Sequence, residues 1–153
     1  MKKLLILGTV VFAACIGITN AQGDAKKMSP SKNITENVAK AADLSALSTG
    51  LKGTSMGKKF EAHGNYTFFA INDAGFDKTL HGTTQKMLSE EYLPMLDKIL
   101  NFHTVPGNLT IKDIKNKMAT QKGPLMLKTL NGESLKFTLV NGNIVISDTK
   151  GNK

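Results

Sequence analysis

Residues 66–76, YTFFAINDAGF, decide how the rest of the chain can be arranged. The run from Tyr66 to Ile71 is almost continuously apolar and rich in aromatic and β-branched side chains, which is typical of a strand covered on both faces. Asn72 favours an end to this strand, because its side-chain oxygen can accept hydrogen bonds from backbone N–H groups two or three residues later. The stretch therefore predicts a buried strand followed at once by a short helix, with Phe76 folded back onto the strand.

The N-terminus has the features of an export signal. Lys2 and Lys3 precede an apolar stretch, residues 4–18, that is shorter than the ~20 residues needed to cross a bilayer. Small residues occupy the two positions that a signal peptidase reads when the cut follows Ala21. We therefore expect residues 1–21 to be a signal peptide, and its short lysine-rich start indicates a bacterial source.

Cys15 offers an alternative way of processing this leader. A lipoprotein signal would be cut before Cys15 and would carry a lipid there, but Phe12 and the apolar residues after the cysteine fit such a signal less well. Cys15 is the only cysteine, so the domain beyond the leader has to be stable without a disulfide. Residues 22–32 are polar, contain Gly23 and Pro30, and predict a flexible linker.

The net charge is positive, but the basic residues are not of the type that recognises nucleic-acid sequences. The 20 basic residues are all lysine and stand against 12 acidic residues, for a formal net charge of +8. Sequence readout and bidentate phosphate binding favour arginine, and these lysines are scattered along the chain. We therefore expect a solvated surface and no nucleic-acid partner, while a general attraction to anionic polymers or membrane surfaces stays open.

The pattern along the chain predicts several short helices followed by β-strands. Helix starts are indicated by capping residues or by a proline that suits a first turn. These starts are Asn33, Asp43, Asn72, Thr83 or Thr84, Pro94 and Thr110. In the final third, apolar and polar residues alternate, and Asn141-Gly142 is a strong hairpin signal. This turn pairs residues on one face that we expect to be buried, namely Leu139 with Ile144 and Phe137 with Ile146.

Four motifs, in order, resemble those of the fasciclin domain family. They are Thr67–Phe76, Leu100–Gly107, Leu109–Ile114 and Thr129–Leu135. The first is similar to the family's opening signature, with Ile71 in place of a proline, one residue fewer before the asparagine and an extra Gly75 before the final phenylalanine. The second is similar to the family's Leu-x-Tyr-His-Val-Val-Pro-Gly element. The resemblance covers about residues 33–153, which we expect to form one fasciclin-like domain.

The resemblance implies an α+β fold, in which a β-sandwich or wedge is flanked by several short helices. It also implies a secreted or cell-surface domain that mediates adhesion or matrix binding without catalysis or a cofactor. Its partner would be a cell-surface or matrix protein or polysaccharide. The family usually closes with a further segment after the hairpin, and this sequence stops at Lys153. We therefore expect an incomplete C-terminus that leaves a sheet edge and apolar surface uncovered. A fragment of a longer chain, a naturally shortened product and completion by another chain would each account for it.

The resemblance and the local chemistry give four candidate binding residues. In animal members of the family the Tyr-His element is linked to receptor recognition, and here it reads Phe102-His103. A packed histidine at a helix-to-strand junction is the other interpretation of His103. Asn72 and Asp73 are the remaining candidates, although the charge of Asp73 also suits a helix N-terminus. No pair of histidines has metal-ligand spacing, so we expect no metal site.

Three hypotheses for the function follow from these observations. The first is adhesion to cells, matrix or exopolysaccharide, which agrees with the leader and with the four motifs. The second is a small secreted hydrolase, which needs a cleft with at least two titratable groups of shifted pKa. The third is a periplasmic ligand-binding module, which needs a closed apolar pocket. The sequence presents no catalytic constellation that we recognise, and it favours the first hypothesis.

Overall fold

The computed structural model describes residues 10–12, 28–62, 64–80 and 84–152. The predicted cleavage site after Ala21, the alternative lipid attachment at Cys15 and the first part of the predicted linker lie outside these residues. Within the described ranges, no helix is long and apolar enough to cross a membrane.

The helices lie between residues 34 and 120. They are α1 (Ile34–Val38), α2 (Ser45–Gly53), α3 (Ser55–Glu61), α4 (Asp73–Leu80), α5 (Thr84–Met87), α6 (Leu93–Phe102) and α7 (Ile111–Thr120). A 3₁₀ turn, Glu90–Tyr92, precedes α6. Two of the predicted helix starts are confirmed in full, because Asn33 with Glu36 and Thr110 with Asp113 form reciprocal capping boxes.

The strands of the described residues form two small sheets. They are β1 (Val10–Phe12), β2 (Tyr66–Ala70), β3 (Thr104–Pro106), β4 (Leu125–Lys128), β5 (Ser134–Val140) and β6 (Asn143–Ser147). The first sheet has the order β1-β2-β3, with β1 parallel and β3 antiparallel to β2. The second is the antiparallel sheet β4-β5-β6. Short helices beside two mainly antiparallel sheets confirm the predicted α+β class.

Strand β2 separates two hydrophobic clusters, as the opening stretch of sequence predicts. Phe68 and Ala70 belong to a cluster built mainly from helices, which we call the helical cluster. Phe69 points to the other side and belongs to the sheet cluster, whose buried members are Phe69, Val105, Ile114, Leu125, Leu135 and Phe137. Each side is held by a pair of rings: Phe68 lies 4.9 Å from Phe60, and Phe69 lies 5.3 Å from Phe137, between centroids.

Glycine residues bring α2 close to α6 inside the helical cluster. A Cβ atom at Gly50 would lie 2.6 Å from Leu96 Cδ2, and one at Gly53 would lie 2.8 Å from Leu93 Cδ1. Glycine lowers helix propensity, yet α2 extends to Gly53. The close approach of the leucine side chains explains why small residues occupy these positions.

The C-terminal hairpin has the predicted register but not all of the predicted burial. Leu139 pairs with Ile144, Asn141 and Gly142 form the turn, and both turn residues have positive φ angles, 52° and 81°. Phe137 is fully buried, whereas Leu139 is 57% exposed. The prediction that Leu139 is buried was wrong: its cross-strand partner Ile144 packs against the sheet cluster, but the cluster does not reach Leu139 itself.

The end of the predicted linker is attached to the domain. Met28 packs against the helical cluster, and the Ser29 N–H donates to Asn37 Oδ1 at 2.8 Å. The Asn37 amide in turn donates to the carbonyl oxygens of Ser29 and Lys32 at 3.0 and 3.2 Å. Residues 28–32 therefore form a turn that covers α1, which short-range sequence patterns did not indicate.

Candidate functional site

Asn72 has the local role that the sequence predicted. Its side-chain oxygen accepts a hydrogen bond from the Gly75 N–H at 2.9 Å, and its backbone carbonyl accepts from the Phe76 N–H at 2.9 Å. These bonds start α4 directly after β2. Phe76 is buried in the helical cluster, to which Phe68 of β2 also belongs, so the strand-to-helix turn places residues from both elements in one core.

Asp73 caps a helix other than its own. Its Oδ2 accepts from the Ser45 hydroxyl at 2.6 Å and the Ser45 N–H at 3.2 Å, while its Oδ1 accepts from the Ala46 N–H at 2.9 Å. The carboxylate therefore satisfies N–H groups at the start of α2, where the helix dipole also favours a negative charge. The backbone agrees with this arrangement, since the Asp73 N–H donates to the Asp43 carbonyl at 2.9 Å.

Asp97 repeats this arrangement on the neighbouring helix. Its Oδ2 accepts from the Ser55 hydroxyl at 2.7 Å, and its Oδ1 accepts from the Met56 N–H at 3.0 Å. An aspartate of α6 thus helps to cap α3, in addition to the Thr54 side chain. Sequence reasoning missed this residue because its partners are about forty positions away, and no local spacing signals such a contact.

His103 ends α6 and contacts β2. The Phe69 N–H donates to the His103 carbonyl at 2.9 Å. Burial lowers the pKa of His103 to about 4, and a hydrogen bond between the imidazole and the Phe69 backbone opposes only part of this shift. The imidazole is therefore neutral at neutral pH, which agrees with a packed histidine at the helix-to-strand junction.

Phe102 contacts both His103 and the sheet cluster. Its ring meets the His103 ring edge to face, with centroids 5.6 Å apart and planes at 88°. Phe102 is half-buried against the sheet cluster. Both candidate pairs lie near the C-terminal end of β2, since Phe69 bonds to His103 and Asn72 follows the strand. Within the described residues, no hydrogen bond or ring contact joins one pair to the other.

Other acidic side chains in the C-terminal part serve turns and caps. Hydrogen bonds from Thr110 lower the pKa of Asp113, and hydrogen bonds from Asn152 lower the pKa of Asp148. In the part of the chain that the structure describes, no three His, Cys, Asp or Glu side chains are grouped so that they could hold a metal ion.

The charge is divided unevenly between the two halves of the domain. Residues 28–103 contain eight lysines and eight acidic residues, so they are formally neutral. In residues 104–152 the acidic residues are Asp113, Glu133 and Asp148. The lysines there are Lys112, Lys115, Lys117, Lys122, Lys128, Lys136 and Lys150. The positive charge of the domain therefore lies almost entirely on α7 and the second sheet, a division that the overall scatter of lysines had concealed.

Exposed apolar side chains concentrate in the same half. Of the large hydrophobic residues that the structure shows as exposed, only Met95 precedes residue 104; the others are Ile111, Met126, Leu139 and Val140. On the second sheet, Met126 pairs with Lys136, and Val140 lies on the same face as Lys136 because side chains alternate along β5. Leu139 lies on the opposite face of β5, the face on which Phe137 packs in the sheet cluster with Ile114 of α7. We call the exposed side chains of residues 111–128 and 134–147, on both faces of the second sheet, the cationic sheet surface.

The comparisons with known proteins agree with this fold. A model of the fasciclin domain family matches residues 42–152. The chain belongs to the fasciclin domain family. The resemblance seen in the four sequence motifs is thereby confirmed, although the match begins after α1.

Two cyanobacterial proteins and one solved structure are similar to this fasciclin domain. Protein sll1483 of Synechocystis is 29% identical over 114 residues, covering 74% of this chain and 59% of that protein. Protein sll1735 of the same organism is 25% identical over 119 residues, covering 76% of this chain and 85% of that protein. A fasciclin domain pair from the insect cell adhesion molecule fasciclin I superposes with a TM-score of 0.65 at 17% identity, covering 78% of this chain and 42% of that one.

Proposed function

We propose that this fasciclin domain is a non-catalytic adhesion domain that binds an anionic polymer of a cell surface or matrix through the cationic sheet surface. The observation that carries this proposal is the coincidence of excess lysine with exposed apolar side chains in residues 104–152. Lysines attract a polyanion over about one Debye length. Exposed apolar side chains, such as Ile111 beside Lys112 on α7 and Leu139 on the face of β5 that carries Phe137, then add contact area that salt does not screen.

The four residues singled out from the sequence have positioning roles in this proposal. The hydrogen-bonding groups of Asn72 and Asp73 are engaged at helix starts. The His103 imidazole bonds to the backbone of β2. Phe102 packs on the sheet cluster and leaves part of its ring exposed. These residues fix the junction on which the second half of the domain is built.

The proposal includes export of the protein. Residues 1–21 act as the leader, with cleavage after Ala21, and the adhesion domain reaches the periplasm, the cell surface or the medium. Mass spectrometry of the protein recovered from the cell envelope and the medium tests this step. A mature chain that starts at Gln22 supports it, a lipid-modified Cys15 indicates anchoring instead, and an intact Met1 in the cytoplasm contradicts export.

Binding to a defined polyanion tests the proposed adhesion. The chain is applied to alginate-coated beads and to neutral dextran beads across a series of sodium chloride concentrations. We expect retention on alginate alone, with affinity that falls as salt rises but does not vanish. The key variant replaces Lys112, Lys115, Lys117 and Lys122 with glutamine. The matched control replaces Lys52, Lys58, Lys59 and Lys98 with glutamine, which removes the same charge from the neutral half.

The two variants separate a surface site from the effect of net charge. We expect the Lys112, Lys115, Lys117 and Lys122 variant to bind alginate about tenfold more weakly, and the control to stay within about twofold of the wild type. Equal weakening in both would mean that net charge alone attracts the polymer. That result, or a failure of the folded wild type to bind alginate at any salt concentration, would overturn the proposal.

A further inference from the structure

Strand β2 has a neighbour on each side. On one side lies β3, and on the other lies β1, a strand from the predicted leader. The parallel register places Val10 beside Phe68, Val11 beside Phe69 and Phe12 beside Ala70. The strand at the centre of this sheet is therefore completed by residues that signal-peptide cleavage would remove.

The backbone of β2 shows which groups face β1. The Phe69 N–H donates to the His103 carbonyl at 2.9 Å, and the Gly107 N–H donates to the Asn65 carbonyl at 2.8 Å. Odd-numbered residues of β2 therefore face β3. Because backbone groups of a strand point alternately to its two sides, the N–H and C=O groups of Phe68 and Ala70 face β1. Both residues are buried, and buried backbone groups require hydrogen-bond partners.

We propose that the β1 side of β2 is a strand-acceptor site, which binds a short extended apolar peptide segment in parallel to residues 68–70. Val10–Phe12 occupies this site in the unprocessed chain. Loss of residues 1–21 exposes the Phe68 and Ala70 backbone to a segment of the same chemistry from another protein. This is recognition by strand addition, in which main-chain hydrogen bonds provide affinity and side chains provide selectivity.

The surroundings of β2 specify the chemistry of that segment. A strand in this position projects alternate side chains to both faces of the sheet. On one face it meets the environment of Phe68 and the helical cluster, and on the other that of Phe69 and the sheet cluster. The segment must therefore be apolar at successive positions. This site does not involve the cationic sheet surface, so it can be tested apart from polymer binding.

Amide hydrogen exchange of the full chain, measured by NMR, tests the proposal. In the variant Val11→Pro the strand loses the N–H at the middle of the ladder. We expect the amides of Phe68 and Ala70 to exchange about tenfold faster or more, while Phe69, which bonds to β3, stays within about twofold. The control Ile16→Pro, further along the leader, should leave all three amides unchanged.

A peptide added in trans tests whether the edge accepts a strand. The peptide copies residues 8–14 with lysines appended for solubility, and a scrambled peptide serves as its control. We expect the copy, and not the scrambled peptide, to restore slow exchange at Phe68 and Ala70 in Val11→Pro. If Phe69 also exchanges faster in Val11→Pro, the variant has unfolded more widely than at β1. In that case the peptide that copies residues 8–14 must restore slow exchange at Phe68, Phe69 and Ala70. Unchanged exchange in Val11→Pro, the same effect from Ile16→Pro, or no rescue by the copy overturns the proposal.

Discussion

The helical and sheet clusters share β2, but the surfaces around them differ in charge and in exposed hydrophobic residues. Of the residues that the structure describes, fourteen are buried in the helical cluster and six in the sheet cluster, so most of the described apolar burial lies on the helical side. Its lysines and acidic residues balance, and acidic groups of α4 and α6 cap neighbouring helices. The sheet side has a net positive charge and most of the exposed large hydrophobic residues. Among the described residues, apolar burial and helix capping are thus concentrated in one half of the domain, while net positive charge and exposed apolar side chains are concentrated in the other.

The largest effect is expected from the two ring pairs that attach β2 to each cluster. Phe60→Ala and Phe137→Ala each remove a fully buried ring that packs at a tilt, with planes at 48° and 58°, against a β2 phenylalanine. Each change should lower the free energy of unfolding by about 3–5 kcal/mol. Because both clusters share β2, each variant should still unfold in one transition, measured by urea denaturation with far-ultraviolet circular dichroism. Two separate transitions in either variant would show that the halves are independent units.

Acid should destabilise the junction between the two halves through His103. The pKa of His103 is about 4 in the folded chain against an ordinary value of 6.5, so between these pH values only the unfolded chain binds the proton. The contribution of neutral His103 to the free energy of unfolding is therefore complete above pH 6.5 and is lost as the pH falls toward 4. The loss is at most about 3 kcal/mol. Urea denaturation at pH 7, 6 and 5 measures the decline.

A variant that cannot titrate separates His103 from other groups. His103→Gln keeps an N–H donor for the Phe69 backbone but cannot gain a proton. It should flatten the dependence of stability on pH in this window, whatever its effect at pH 7. The pKa values of Asp113 and Asp148 are lowered from 3.8, so the effect of their protonation on stability falls at a lower pH than this window. An unchanged slope in His103→Gln would contradict the role of the imidazole.

Smaller losses are expected where aspartates cap neighbouring helices on the helical side. Asp73→Ala and Asp97→Ala leave N–H groups at the starts of α2 and α3 without their carboxylate partners. Each should cost about 1–2 kcal/mol in the free energy of unfolding. Asp77→Ala is the control, because the partner of this α4 aspartate among the described residues is the Thr84 hydroxyl, which donates to Asp77 Oδ1 at 2.8 Å at an exposed site. Equal losses in all three variants would mean that loss of negative charge, and not capping, is what matters.

The features that the sequence predicted well depend on neighbours a few residues apart. Asn72 as a cap and the Asn141-Gly142 turn are signals of this kind, and the structure confirms both. The prediction of a strand covered on both faces also holds, because a continuous apolar run has no polar face to expose.

The features that the sequence did not reveal depend on distant contacts. Asp73 looked like a charge near its own helix start, and only the fold brings it to Ser45, 28 residues earlier. Burial of Leu139 was expected from alternation, which sets the face of a strand but not how far a core extends along it. The division of charge between the two halves likewise appears only once the boundary at residue 104 is known.

The smallest effect on stability, and the sharpest test of the comparison, concerns one exposed apolar residue from each half. Leu139 and Met95 are 57% and 54% exposed, so replacing either with serine should change the free energy of unfolding by only about 0.5 kcal/mol or less. If the cationic sheet surface binds the polymer, Leu139→Ser should weaken binding to alginate-coated beads at high salt, where apolar contact outlasts the screened charges, and Met95→Ser should not. If Leu139→Ser and Met95→Ser bind alginate equally well, Leu139 does not contribute to binding. The excess of lysine would then be the feature that distinguishes the sheet half from the helical half in binding.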